Sequence, residues 1–385
     1  MRKRFPLRFA LFLMAYYMTN SVFQGYASLY YTSIGFSSTQ VGSIFAAIAL
    51  VSVFSQPFWG VRGDRAASRN RLIRALVLAA SLSILSFLLT RMFMPSLLLA
   101  CVFSCFYTSI QPMGDSVILA ALEKEKQPFG PLRLCGGMMF AVTSLIFGSL
   151  LNVPGREAWA VYCTAGLCLT MIPASYALPD TPGYQSASGK RMSFGALLKN
   201  KDLMRLMLFM LPMQMTMGYF YTFFSPLFMS FEGANGSLLG WCYFISAVGE
   251  IPYLLLSDKL YEKLGAGKLM CISACVLTLR WIILAMTDNV TVTLLSQLLH
   301  GWGFIVMTVS MAKHISRTVP AELQASGQML LAMVSYGLAR AAGNLGGGLL
   351  ADAFGRQNVF YLLAAVCAVT LIIFAPQFLR RKENA

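Results

Sequence analysis

Apolar residues in this chain do not alternate with polar ones at a helical or strand period. They run together in blocks of about twenty, the length a helix needs to cross roughly 30 Å of hydrocarbon. Such blocks fall at 7–31, 39–61, 73–90, 95–121, 131–151, 157–178, 203–229, 237–257, 268–287, 290–312, 324–350 and 358–378. A helix that is apolar all round is a buried or lipid-embedded one. The pattern therefore predicts an all-α polytopic membrane protein with twelve transmembrane helices. The connections are short except for one polar stretch, PDTPGYQSASGKRMSFGALLKNKD, at 179–202. Its Pro, Gly, Ser and Lys content reads as a linker. It divides the chain into a first six-helix bundle at 1–178 and a second at 203–385.

The two bundles resemble each other. GSIFAAIALVSVFSQPFWGVRGDRAASR (42–69) and GSLLGWCYFISAVGEIPYLLLSDKLYEK (236–263) align without a gap at an offset of 194. Gly42 meets Gly236, Ser43 meets Ser237, Ser52 meets Ser246, Asp64 meets Asp258, Arg65 meets Lys259 and Arg69 meets Lys263. Parallel repeats of this kind are a transporter architecture, with the substrate site between the halves near mid-membrane.

Composition agrees with a membrane protein. Of the 385 residues, 57% are hydrophobic and only 12% charged, too few to cover a soluble surface. The net charge of +15 raises nucleic acid as a partner, but the basic residues form short clusters between apolar blocks and make no continuous face. They act instead as topology signals. Arg2, Lys3, Arg4, Arg62, Arg65, Arg69, Arg71, Lys124, Lys126, Lys190, Arg191, Lys259, Lys263, Lys313, Arg317 and Arg380 to Lys382 fall on one side, against Arg91, Arg156 and Arg356 on the other. The positive-inside rule puts both termini in the cytoplasm, with the chain multi-pass in the inner or plasma membrane. The basic-then-apolar start lacks a small-x-small cleavage site and is expected to remain as the first helix. Nine scattered cysteines without a CxxC pair are expected to be small buried side chains, with no metal site and no cofactor.

Ionisable residues inside the apolar blocks are costly and therefore informative. They are Asp115, Arg133, Glu250, Arg280, His300 and Arg340. At 1.5 Å per residue, Glu250, Arg280 and His300 lie close to mid-depth, and Glu250 is expected to pair with Arg280. Asp115 and Arg133 sit on neighbouring helices near one end and are expected to be partners. Arg340 is mid-helix, and its role stays open between a cavity cation and a snorkelling side chain. Tyr16, Tyr17, Gln24, Tyr26, Tyr219, Tyr221 and Trp281 are further candidates for a cavity wall, Gln24 being counted with the substrate-binding set. GNLGGG (343–348) is expected to be a close-packing face.

GVRGDRAASRNR (60–71) resembles the helix 2–3 loop signature of the major facilitator superfamily, G-x-x-x-D-R-x-x-x-R. Gly60 would admit a close helix, and Asp64 with Arg65 and Arg69 would form a conformational gate, partly copied at Asp258 and Lys259. PMGDSVILAALEKEKQPFGPLRLCGG (112–137), together with AVGEIPYLLLSDKL, VLTLRWIIL and LLSQLLHGWGFIV, is similar to the group containing the lactose and phenylpropionate permeases and the nucleoside proton symporters. That resemblance implies substrate binding by Asp115 and Arg133, with Phe140 at a ring-stacking position. It implies Glu250, Arg280 and His300 as polar residues of the central cavity. Two departures stand out. Gly303 replaces the proton-carrying glutamate of the sugar permease, and Gln297 replaces a lysine. Proton coupling then rests first on Glu250, with His300 as a relay and Asp115 in reserve.

The function expected is proton-coupled uptake of a small organic solute (an aromatic acid, a sugar or a nucleoside) by alternating access, with one chain sufficient. An efflux antiporter is the alternative, disfavoured because helix 5 has no internal proline. A non-transporting membrane sensor is the remoter one. The chain shows no HExxH, GxSxG or ATP-binding motif, which argues against an enzyme.

Overall fold

The structure, a computed structural model, describes residues 6–127, 129–179 and 197–379. Most of the expected linker, and the basic residues at 2–4, 190–191 and 380–382, lie outside these. The helices are α1 (Leu7–Ser33), α2 (Ser38–Arg65), α3 (Arg69–Leu85), α4 (Phe93–Glu125), α5 (Gly130–Leu150) and α6 (Trp159–Tyr176), then α7 (Lys201–Phe228) and α8 (Gly236–Met286). After α9 (Val290–Ser296) a π-helical turn at Gly301–Ile305 leads into α10 (Val306–Thr318). After α11 (Ala321–Leu331) a longer π segment, Ala332–Ala339, leads into α12 (Arg340–Phe354), and α13 (Val359–Leu379) ends the described chain.

The elements do not separate into twelve. The expected spans 237–257 and 268–287 form one 51-residue element, α8, interrupted only at Gly265, whose φ of 72° a side chain would resist. Spans 290–312 and 324–350 each contain a π segment, which inserts a residue per turn and shifts the faces beyond it.

Local chemistry sets the helix starts. Ser37 and Gln40 form a reciprocal capping box on α2. Asn200, Asn235 and Asn289 accept from the first free N–H groups of α7, α8 and α9. Inside the membrane, polar contacts bind neighbouring helices: the Trp59 indole donates to the Cys105 carbonyl at 2.8 Å and Ser104 to the Ile48 carbonyl at 2.7 Å, tying α2 to α4.

Two seams join the helices before the linker to those after it, both toward the end carrying loops 34–37, 151–158, 229–235 and 355–358. In one, α2 meets α12. Asp352 accepts from the backbone N–H groups of Ser38 and Thr39, each at 2.8 Å, and Arg356 donates to the Ser38 hydroxyl at 3.3 Å. A methyl on Gly348 would stand 2.6 Å from the Ser38 carbonyl, and one on Gly42 would overlap the Asn344 carbonyl. In the other seam α5 meets α8: Asn152 binds Ser237 through side chain and backbone at 2.7 and 2.9 Å, and Gly148 lies against Gly236 and Gly240. Gly42 and Gly236, matched in the sequence repeat, thus sit at equivalent places in the two seams. The GNLGGG stretch supplies the close approach as expected, with Gly343 on the Met215 backbone and Gly347 on the Tyr219 ring. Nearer the centre, Ser225 and Tyr243 both donate to the Gly25 carbonyl, at 2.6 and 3.1 Å.

At the opposite, basic end the residues expected to form a gate bond within their own half. Asp64 accepts from Arg69 at 2.6 Å, and Arg69 also reaches Ser116 on α4. Asp258 accepts from Lys313 on α10 at 2.6 Å, and this bond holds its carboxylate below the usual range. The repeat matched Lys263 with Arg69, but the partner of Asp258 comes from another helix. Gly60 has nothing within 4 Å, so the close approach expected there is not made; Gly63 instead receives Met113 at 3.2 Å. Arg65 and Lys259 are exposed.

Candidate functional site

A central cavity of about 510 Å³ lies between the two sets of helices. Its volume is that of a small-molecule site. From the first set, α1 contributes Tyr16, Tyr17, Asn20 and Gln24, α4 contributes Tyr107, Thr108 and Gln111, and α5 contributes Arg133 and Phe140. From the second set come Tyr221 on α7, Glu250 on α8, and His300, Tyr336 and Arg340. Residues four apart on one helix share a face, which explains the stripes Asn20–Gln24, Tyr107–Gln111 and Tyr336–Arg340–Asn344. A smaller pocket of about 80 Å³ opens between α5 and α8, and both Arg133 and Glu250 line it.

Several expected residues are therefore together: Gln24, Arg133, Phe140, Glu250 and His300 all line the cavity. Two are not. Asp115 continues the Tyr107–Gln111 stripe one turn toward the basic end, beyond the cavity wall, and one of its carboxylate oxygens is buried without a hydrogen bond. No ion pair within 4 Å joins Arg133 to Asp115 or to Glu250 among the described residues, although its charge acts on both carboxylates. Arg133 instead shares the small pocket with Glu250 of the other half, and its guanidinium stands 5.9 Å from the Tyr17 ring.

Arg280 is fully buried and does not reach the cavity. It lies between rings, 4.1 Å from that of Phe220 and 5.0 Å from that of Trp281, and donates to Gln297 at 2.6 Å and to His300 Nδ1 at 3.0 Å. The expected Glu250–Arg280 pair is not formed because the imidazole stands between them, its Nε2 being 4.0 Å from Glu250 Oε1. A guanidinium can only donate, so Nδ1 of His300 accepts and the imidazole proton sits on Nε2. There it faces the Tyr221 hydroxyl at 3.1 Å. An added proton on Nδ1 would point at the guanidinium. In this arrangement His300 is a neutral donor, with Nδ1 taken by Arg280 and Nε2 turned toward Tyr221 and Glu250. Gln297 makes this possible: a lysine there would set a second cation beside Arg280.

Of the other aromatic candidates, Tyr16, Tyr17 and Tyr221 line the cavity. Tyr26 is buried with its hydroxyl on the Ser144 carbonyl, Tyr219 donates to the Arg356 carbonyl, and Trp281 packs on Phe220. Tyr336 joins Tyr16, Tyr17 and Tyr221 in the cavity wall. Its spacing of four from Arg340 and eight from Asn344 marked a polar stripe on an otherwise apolar helix. Arg340 faces the cavity, 4.9 Å from the Tyr336 ring, 5.0 Å from Tyr221 and 5.7 Å from Phe304, and donates from Nε to Gln214 at 3.3 Å.

Comparison with known proteins bears on what such a cavity does. The chain is 24% identical over 388 residues to YwbF, an uncharacterised transporter of Bacillus subtilis, covering all of this chain and 95% of that one. It is 23% identical to a probable 3-phenylpropionic acid transporter of Escherichia coli, over 97% of this chain and 96% of that one. The solved structure of a mutant of the nucleoside transporter NupG superposes with a TM-score of 0.87 at 16% identity, covering 97% and 99% of the two chains. The model of the MFS_1 like family, a family of transporters and not of enzymes, matches residues 7–362. The chain is a multi-pass membrane transporter and belongs to that family.

Proposed function

We propose that this transporter takes up a small organic solute together with a proton by alternating access, the basic end and both termini facing the cytoplasm of an inner or plasma membrane. The observation that carries this reading is the central cavity, built from both halves, in whose wall Glu250 is the one carboxylate among the described residues. A carboxylate there is costly unless it serves a cation, a partner or a proton. Arg133 from the other half is its electrostatic partner, so the pair spans the plane across which the halves move. Protonating Glu250 would release Arg133 for a solute, and that exchange is the coupling. Gln24 and Phe140 offer an amide and a ring to the solute, and Asp115 waits one turn below. Arg280 belongs behind this wall, positioning His300.

The seams close one end, so the state described is the inward-facing one. Asp64–Arg69 and Asp258–Lys313 are then at rest within their halves, and Gly60 takes up its close neighbour when the basic end shuts. The family relatives named for phenylpropionic acid and nucleosides support a solute of that size. The test is Glu250→Gln in proteoliposomes, reading solute-dependent proton entry. Solute exchange is expected to persist while proton movement is lost. Proton entry equal to the unsubstituted protein would remove Glu250 from the mechanism.

A further inference from the structure

The charges of the cavity wall do not balance. Arg133 and Arg340 come from opposite halves, against the single carboxylate of Glu250. His300 adds none, held neutral by Arg280 behind it. Arg133 is answered by two carboxylates, Asp115 beyond the wall and Glu250, which shares the small pocket with it. Arg340 is answered by no carboxylate: its Nε meets the neutral amide of Gln214, three aromatic faces surround it, and no acceptor bonds its terminal nitrogens among the described residues. A cation at this depth is costly, and the three cation–π contacts recover part of that cost. The guanidinium fork left open toward the cavity has the geometry that carboxylates fit in two parallel bonds.

We propose that Arg340 is the specificity-determining residue of the cavity and that the solute is an organic monoanion, a carboxylate with an aromatic or otherwise apolar body. The carboxylate lies on Arg340, and the body lies among Tyr221, Tyr336, Phe304 and Phe140. While Glu250 is ionised and holds Arg133, a dianion would leave one charge uncompensated once Arg340 is met, so the site in that state selects a single negative charge. This rests on the transport reading for its purpose, but its test is binding and needs no flux.

Thermal unfolding of the purified full chain would be followed with benzoate and 3-phenylpropionate, each beside its primary amide, and with glucose and uridine. A ligand of the native state raises the melting temperature by mass action. The acids are expected to stabilise the unsubstituted protein, and the amides, glucose and uridine are not. Arg340→Gln is expected to abolish the response to the acids, and Arg340→Lys to restore part of it. The acid–amide comparison needs no variant, so a folding defect in Arg340→Gln does not weaken the test. Equal stabilisation by an amide, a response only to glucose or uridine, no response to any acid, or an acid response that survives Arg340→Gln would each overturn the proposal. Acid binding without flux in proteoliposomes would instead count against transport and leave the charge assignment standing.

Discussion

Substituting Gly148 by alanine tests the seam between α5 and α8 directly. The added methyl would overlap the Gly236 carbonyl oxygen and stand 2.9 Å from Gly240 Cα and 3.0 Å from Gly240 N. All three are backbone atoms, so no change of rotamer relieves them. Carbon atoms pack at about 3.5–4.0 Å, so the two helices must part by about 1 Å locally. Overpacking of this kind costs about 1–3 kcal/mol. A state with the seam open does not bear that cost, so the ratio of sealed to open forms falls by about 5- to 150-fold at about 1.4 kcal/mol per decade. The better helix propensity of alanine acts on both forms alike and cancels. The assay is alkylation of a single cysteine at position 52, whose side chain lines the cavity, in a background without native thiols. A membrane-impermeant maleimide is applied from the sealed side. Gly148→Ala is expected to raise the rate several-fold, while Gly166→Ala, where nothing lies within 4 Å, leaves it unchanged. A well-folded Gly148→Ala protein with the original rate would refute the reasoning.

The other seam yields a pH prediction. Burial works against the Asp352 carboxylate, but hydrogen bonds from Thr39, Ser38 and Ser37 hold it down to about 2. A depressed carboxylate contributes fully above its ordinary value and loses that contribution as pH falls through about 2. Asp352→Asn should therefore weaken sealing by a cap's worth, about 0.5–2 kcal/mol and toward the low end at this exposed site. The effect should be equal at all pH values between about 5 and 8, read by the same alkylation assay; a loss confined to one end of that range would contradict it. If Glu250 takes one proton as Arg340 takes one monoanion, the cavity carries the same charge empty and loaded. Uptake should then follow a pH gradient and ignore a potassium-diffusion potential set by valinomycin. Uptake driven by that potential alone would show the balance to be wrong.

Helix positions were legible because lipid demands long apolar runs, and so was the common level of Glu250, Arg280 and His300, which follows from rise per residue alone. Direction around the helix was not legible. A helix that is apolar on every side has no polar face to orient it, so the sequence places Arg280 in the cavity and leaves Arg340 open, though Arg280 is sealed behind Phe220 and Arg340 lines the cavity. The π segments add to this by shifting the phase between His300 and Phe304 and ahead of Arg340. Contacts such as Asp352 with Ser38 join positions 314 apart and carry no local signature. Asp115 and Arg133 sit on neighbouring helices and act on each other's charge, but the pocket that Arg133 also shares with Glu250 of the other half has no signature in the sequence.

The π segment Ala332–Ala339 ends where Arg340 begins. Each residue of an α-helix turns by about 100°, so expelling the one surplus residue would swivel Arg340 and Asn344 by about that angle relative to Tyr336. With α12 held at its seam by Asp352, the turn falls on Tyr336, whose ring would leave the guanidinium. Release of cargo would then need only a slip in one strand of backbone bonding, and the large rocking motion could follow it.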